Sequence, residues 1–162
     1  MVIKNINFFN KSATDLARDL LGKIVCHQMD DGFIMRCRIT ETEAYSGDEP
    51  FCYGYGGKNP QNKNEVFYSV GKVCAYADML MISCLDEMHP NNVLIRSLDC
   101  YKGPKNCSEA LDIRTEVNGI DLTAVDVIWL EDDGAKIEYI TAKRVNIPDD
   151  KQWNFTIKTI TF

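Results

Sequence analysis

Two Asp-Asp-Gly turns constrain the fold of this chain most, because each lies between segments in which apolar and polar residues alternate. The turn at residues 30–32 separates KIVCHQM from FIMRCRITETEAY, and the turn at residues 132–134 separates DVIWLE from AKIEYITAKRVNI. Asp-Gly between alternating segments is a strong local signal for a β-hairpin. We therefore predict two antiparallel hairpins, the first with a long second arm ending at Tyr45.

Other segments add helices and strands around these hairpins. A Ser cap at Ser12, leucines on one stripe and Gly22 after the last turn predict a helix over residues 12–21. Alternation or continuous apolar character predicts a strand or hairpin at 73–85, a buried strand at 91–99 and a final strand at 153–162, and residues 103–113 are typical of a short helix. This order predicts a single α+β domain dominated by antiparallel strands.

Length and composition exclude several classes of protein. The chain has 162 residues, of which 45% are hydrophobic, a range typical of one globular domain. We expect a soluble, cytoplasmic protein without membrane association, because the chain has no span-length apolar run and its start lacks a signal-peptide core. Seven cysteines without CxxC spacing and only two histidines predict neither a full disulfide framework nor a metal site. The net charge of −6 argues against broad, unsteered binding to nucleic acid, although it allows a local basic groove.

The segment ITETEAY, residues 39–45, is the first candidate for chemistry. Successive side chains of a strand alternate, so Glu41, Glu43 and Tyr45 share one face, which is either a solvated edge or the lip of a pocket. The long loop at 46–72 is rich in aromatic residues, and Arg96 within VLIRSL must be paired to a carboxylate or used in recognition. A pocket with aromatic walls, one acid and one cation would suit a purine, and its predicted members are Glu43, Tyr45, Tyr53, Tyr55, Tyr76 and Arg96.

Five segments in register resemble the alkyladenine (3-methyladenine) DNA glycosylase family. They read ARDLLGKIV, ITETEAYSG, VLIRSL, GPK with EALDI, and NGIDLT leading to IWLE. The resemblance covers most of residues 13–131 and weakens after them. It implies that residues 1–162 form one methylpurine-DNA-glycosylase-like domain, an α+β fold with a mainly antiparallel curved sheet, a few short helices and a protruding hairpin.

The resemblance also implies a reaction and its residues. Glu43 matches the general base that activates water for attack on the sugar C1′ of a flipped-out, alkylated or damaged purine nucleotide. Tyr45 and Tyr76 match the two aromatic walls of the base pocket, and Arg96 matches the arginine that helps to hold the water and phosphate. The implied enzyme is a monofunctional DNA repair glycosylase, a hydrolase that needs no cofactor.

The chain departs from the family pattern at four positions. Tyr53 stands where the family usually has a histidine against the base, and Asp86 stands where it has an asparagine near the base. Met79 replaces the tyrosine that wedges into the minor groove, and Lys63 replaces an arginine as the contact with the DNA backbone. Tyr53 and Asp86 thus stay predicted substrate-binding residues, Met79 the wedge and Lys63 the backbone contact.

Two basic segments of the family are also shortened here, before GPK and near the C-terminus. We therefore expect damaged DNA to be a weakly bound partner. As a separate expectation, the protein is a monomer. Two alternatives stay open: an N-glycoside hydrolase acting on a nucleoside or unusual nucleic acid, and a non-catalytic binder of modified bases. Single residues also have structural alternatives. Glu41 is favoured as an ion-pair partner, and Arg96 is weighed equally as a structural and as a catalytic residue. Tyr45 and Tyr76 have the alternative of being plain core aromatics.

Overall fold

The computed structural model describes residues 1–62, 64–86 and 88–162, without the side chains of residues 62 and 86. Within this part of the chain, two α-helices accompany eight strands, with short 3₁₀ turns between them. The helices are α1 (Ala13–Leu20) and α2 (Pro104–Ala110). The strands are β1 (Ile24–Gln28), β2 (Ile34–Tyr45), β3 (Val73–Tyr76), β4 (Met79–Asp86), β5 (His89–Leu98), β6 (Ile128–Glu131), β7 (Lys136–Ala142) and β8 (Asn154–Thr161).

The strands form one curled, wholly antiparallel sheet in the order β3-β4-β5-β2-β1-β6, with β8 also on β2 and β7 on β8. β2 organises this sheet because it changes neighbours along its length. Its first part pairs with β1, and from Ile39 to Tyr45 it pairs with β5. Irregular register on both sides of Glu41 marks the place where β8 joins it. The predicted α+β fold with a curved antiparallel sheet is confirmed.

Helix α1 covers the centre of the sheet, as its sequence pattern predicts. The Ser12 hydroxyl accepts a hydrogen bond from the amide of Asp15 at 3.2 Å, which caps the helix start. Leu16 and Leu20 are fully buried in the main core against the sheet. The Oγ1 of Thr42 donates to a helix carbonyl at 2.8 Å, so β2 is fixed to α1 one residue before Glu43.

The second predicted hairpin is wrong. β6 pairs with β1, whereas β7 pairs with β8, so the two arms of the second Asp-Asp-Gly segment do not pair with each other. Ion pairs draw this segment towards β1 and β2, since Asp132 lies 2.9 Å from Lys23 and Asp133 lies 2.6 Å from Arg38. These long-range contacts override the local turn signal. In contrast, the segment at 73–85 is a hairpin, β3–β4, whose exposed turn is formed by Ala77 and Asp78 at positive φ.

The long loop after β2 packs tightly on the start of β5. A Cβ added at Gly54 would lie 2.1 Å from the Cβ of Pro90, so only glycine allows this approach. The thiol of Cys52 donates to the Pro90 carbonyl at 2.8 Å, and the Tyr68 hydroxyl donates to the Gly54 carbonyl at 2.5 Å. The loop is therefore anchored on both sides of Tyr53, which places that residue beside the sheet.

A small second core lies under this loop, separate from the main one. Its buried members are Phe67, Cys74, Met81 and Leu94, and the aromatic and methionine side chains around it are Tyr45, Tyr76 and Met79. This cluster joins the loop to β3, β4 and β5. It therefore supports several of the residues in which the sequence predicts a pocket.

Candidate active site

The Glu43 side chain is buried with no exposed surface, where β2 pairs with both β5 and β8. One carboxylate oxygen, Oε1, accepts from the Val145 amide at 2.7 Å and from Asn154 Nδ2 at 3.1 Å. The other oxygen, Oε2, accepts from the Tyr45 hydroxyl at 2.8 Å. Three donors from three chain segments thus hold the carboxylate in one orientation.

Arg96 lies between the two glutamates of ITETEAY. Its Nη1 is 3.5 Å from Glu43 Oε2, and its Nε donates to Glu41 Oε1 at 3.3 Å. Glu41 also accepts from the Ser97 hydroxyl at 2.6 Å and from Asn154 at 2.8 Å. Burial alone would raise the pKa of Glu41, but these hydrogen bonds and the Arg96 charge together hold it below its ordinary value. The expectation that Glu41 is an ion-pair partner is confirmed, and the structure pairs Arg96 with a carboxylate as its burial requires.

Tyr45 joins the carboxylate to the aromatic part of the site. Burial, followed by the nearby charge of Glu43, raises the pKa of the Tyr45 hydroxyl, so this group stays protonated and donates. Its ring centre lies 4.7 Å from the guanidinium carbon of Arg144. The same ring also lines an open cavity, so Tyr45 contacts the acid, the cation and the cavity together.

The cavity beside Tyr45 has a volume of about 170 Å³. Its aromatic lining comes from Tyr45, Phe51 and Tyr53, and its polar lining includes Arg96. Pockets for drug-sized ligands typically measure roughly 300–1,000 Å³, so this one suits a single flat ring system. Glu43 stands directly behind the lining, because Tyr45, Arg96 and Val145 each contact both its carboxylate and the cavity.

A larger cavity of about 420 Å³ adjoins the first at Met79, which lines both. Tyr76 lines this second cavity, and its ring centre lies 4.6 Å from that of Tyr53. Among the residues described, the lining of the smaller cavity includes Tyr53 but not Tyr76. Tyr76 thus lines the larger cavity and contacts Tyr53, and its role as the wall opposite Tyr45 stays a prediction.

The remaining predicted residues fall into two groups. Tyr55, predicted in the pocket, is 52% exposed and lies outside the lining of the smaller cavity. Lys63 lies outside the described residues, as does the side chain of Asp86.

In the described part of the chain, no group of three or more His, Cys, Asp or Glu side chains could hold a metal ion. Within the same ranges, no helix is both long and apolar enough to cross a membrane.

The C-terminal segment supplies site residues that sequence reasoning missed. Val145 and Asn154 both bind Glu43, although they lie 102 and 111 positions further along the chain. Arg144 is buried at 2% exposure and forms an ion pair with Glu49, the second of the two acidic residues in the SGDEP turn. A polar stretch such as KRVNI has no local feature that predicts burial, and only the pairing of β8 with β2 brings it to the site.

Comparison with known proteins shows the family of this chain. Residues 7–103 match the family model described as methylpurine-DNA glycosylase, which is more than half of the chain. The chain belongs to the methylpurine-DNA glycosylase family. The matched segment contains β2, β5 and the loop between them, and therefore Glu43, Tyr45 and Arg96.

Curated relatives of the family extend the similarity beyond that segment. A protein of Natranaerobius thermophilus named "Putative 3-methyladenine DNA glycosylase" is 32% identical, with 96% of this chain and 95% of the relative covered. A protein of the same name from Borrelia garinii subsp. bavariensis is 31% identical, with 96% of each chain covered. A third, from Sodalis glossinidius, is 32% identical over 92% of this chain and 93% of its own. The similarity thus includes the C-terminal segment that completes the Glu43 site.

Proposed function

We propose that this protein is a monofunctional DNA glycosylase that hydrolyses the N-glycosidic bond of alkylated or damaged purines. A water molecule attacks the sugar C1′ and gives a proton to Glu43, the C1′–N bond breaks, and the base leaves with the bonding electron pair. Water is the only nucleophile, so the products are a free base and an abasic site. Names of family relatives that refer to 3-methyladenine support the choice of substrate class.

The observation that carries this proposal is the buried Glu43 carboxylate directly behind the lining of an aromatic cavity. A general base must stand within hydrogen-bond reach of the proton it takes, in a fixed orientation. Donors from Val145, Asn154 and Tyr45 fix that orientation. The aromatic rings of Tyr45 and Tyr53 suit a flat purine, and a purine made cationic by alkylation gains a cation–π term.

A second candidate is an N-glycoside hydrolase that acts on a nucleoside or on unpaired nucleic acid. It is favoured by the charge of the surface near the two cavities, where cations are already paired. Arg114 lies 2.6 Å from Asp112, and Lys105 lies 3.8 Å from Glu109. Together with a net charge of −6, such pairs leave fewer cations for duplex phosphates.

Base release from methylated duplex DNA, with the products identified by mass, tests the proposal. We expect free 3-methyladenine and a matching number of abasic sites. Turnover of free methylated nucleosides with no release from duplex would select the second candidate. Tight binding of methylated DNA without release of any base would contradict both and leave a binder of modified bases.

The proposal predicts weak, shallowly salt-dependent binding to duplex DNA. With few free cations we expect roughly two or three phosphates to be neutralised, so the logarithm of affinity should fall with a slope of about −1.8 to −2.7 against the logarithm of salt concentration. A base must also be unstacked, at a cost of a few kcal/mol, and Met79 at the β3–β4 turn is the proposed wedge. Met79→Gly should therefore lower release from paired lesions about tenfold, and Met79→Tyr should raise it.

The matched control for the wedge is Met35→Gly. Met35 is also partly buried on a strand, but it lies on β2 opposite β1, away from the β3–β4 hairpin. It should lose similar stability and keep the wild-type rate on paired and unpaired substrates. A steep salt slope, or a Met79→Gly variant as fast as wild type on paired lesions, would contradict the wedge and the weak DNA surface.

A further inference from the structure

Arg144 is a buried arginine that connects three segments of the chain behind the cavity. Its Nη1 donates to the Ala44 carbonyl on β2 at 2.9 Å and to Glu49 Oε1 at 2.5 Å. Its Nη2 donates to Glu49 Oε2 at 3.0 Å and to Asp149 Oδ2 at 2.5 Å. One side chain thus binds the end of β2, the turn after it and the segment before β8.

The same guanidinium also lies close to the aromatic wall. Its carbon lies 4.7 Å from the ring centre of Tyr45, 5.9 Å from that of Phe51 and 5.2 Å from that of Trp153. Tyr45 and Phe51 line the cavity. Arg144 is not in that lining, so it stands one layer behind the surface that a base would touch.

The residue that follows Arg144 binds the Glu43 carboxylate through its backbone amide. The next residue, Val145, lines the cavity and donates its amide hydrogen to Glu43 Oε1 at 2.7 Å. That amide belongs to a stretch between β7 and β8 without helix or strand, so no ladder of backbone hydrogen bonds holds it in place. The bonds of Arg144 to Glu49, Asp149 and Ala44 are contacts that fix this stretch against β2.

The buried charge of Arg144 is surrounded by charged partners of both signs. Burial alone would lower the pKa of Arg144, yet the hydrogen bonds that it donates to Glu49 and Asp149 raise this pKa above its ordinary value. Lys151 adds a second cation to Glu49 at 2.7 Å. Buried ion pairs are often no more stabilising than packed apolar groups, so stability alone is a weak reason for this arrangement. What an apolar residue could not supply is the directed set of bonds that places Tyr45 and Val145.

We propose that Arg144 is a positioning residue of this site, which sets both the Tyr45 ring and the Val145 amide that orients Glu43. This inference rests on the proposed glycosylase function and assigns that site a residue outside the cavity. Arg144 touches no reacting atom. Its loss should therefore lower the rate of base release through the geometry of Glu43 and Tyr45.

The first variant to test is Arg144→Lys, which keeps the charge but not the planar, bidentate donor set. Loss of a residue that orients a metal ligand typically costs about 10–100-fold, and we apply the same scale to a residue that orients a catalytic carboxylate. We expect a fall of that size in the single-turnover rate of 3-methyladenine release at saturating enzyme. Glu49→Gln keeps the arginine and removes one of its charged partners, so it should lower the rate of base release by a smaller factor. This variant is measured in place of Arg144→Lys if Arg144→Lys does not fold.

Arg38→Lys is the matched control. Arg38 also donates to a backbone carbonyl, that of Gly22 at 2.6 Å, and binds Asp133 with two nitrogens at 3.2 and 2.6 Å. It lies on β2, as Ala44 does, but in the part that pairs with β1, away from Tyr45. The control should lose comparable thermal stability and keep the wild-type rate. Equal rates in Arg38→Lys and Arg144→Lys would overturn the proposal.

A second readout separates this inference from the proposed function. In ¹⁵N NMR experiments, Arg144→Lys should speed hydrogen exchange of the Val145 amide, and Glu49→Gln, which leaves the neighbouring residue unchanged, should also shift its signal, while the core amide of Val25 stays unchanged. If the wild-type protein releases no base, the proposed function fails, and the Val145 amide alone then decides the positioning role. Unchanged hydrogen exchange of the Val145 amide in both Arg144→Lys and Glu49→Gln would overturn that role whether or not the protein releases bases.

Discussion

Replacing Glu43 by glutamine is expected to lower base release from methylated DNA by about 10²–10⁴-fold, the usual contribution of a general base. The amide has the same shape, and its oxygen can still accept from the Val145 amide, but it cannot take a proton from water. The Tyr45 hydroxyl can rotate to accept from the new amide group. The fold and the affinity for the lesion should therefore be kept, and single-turnover rates together with binding measurements check both.

Glu41→Gln is the control for this change, because Glu41 lies on the same face of β2 two positions earlier. It binds Arg96, Ser97 and Asn154, which are contacts of a structural ion pair. We expect a reduction of less than about tenfold, with a modest loss of stability. A Glu43→Gln variant that turns over like wild type, or a Glu41→Gln variant that is the more damaged of the two, would remove Glu43 from the proposed mechanism.

Local patterns predicted the elements of the fold better than their pairing. The Ser12 cap, the leucine stripe and Gly22 gave the limits of α1, and alternation gave β1, β2 and β8. The second Asp-Asp-Gly turn failed as a hairpin signal because β6 and β7 find partners elsewhere, β1 and β8. Such partners depend on contacts between distant residues, which no local window contains.

The candidate site shows the same difference between residues that local patterns predict and residues that only long-range contacts bring together. The alternation of ITETEAY correctly placed Glu41, Glu43 and Tyr45 on one face, because they lie on one strand. Arg144, Val145 and Asn154 escaped prediction because β8 and the segment before it reach β2 only in the folded chain. Burial of Arg144 depends on Glu49 and Asp149 converging on it, and nothing in the order of the residues indicates that convergence.

The second core under the cavity should be as important for function as for stability, and Phe67→Ala tests this. Phe67 is fully buried, and its ring centre lies 6.0 Å from that of Tyr53 and 6.1 Å from that of Tyr76. Removing a buried phenylalanine ring typically costs about 3–5 kcal/mol. Here the vacated space also lets Tyr53 tilt away from the cavity. We expect a loss of unfolding free energy of that size in urea, together with slower base release from the molecules that stay folded.

Phe9→Ala separates the loss of stability from the displacement of Tyr53. Phe9 is equally buried but belongs to the main core under α1. Both variants remove the same ring, so both should lose similar unfolding free energy, a large part of the roughly 5–15 kcal/mol of a typical domain. Rates should therefore be compared at a low temperature and corrected for the folded fraction. Only Phe67→Ala should then be slow, since Phe9 has no ring contact with Tyr53 or Tyr76 among those observed in the described residues. Equal corrected rates would mean that the Tyr53 wall holds its position without the second core.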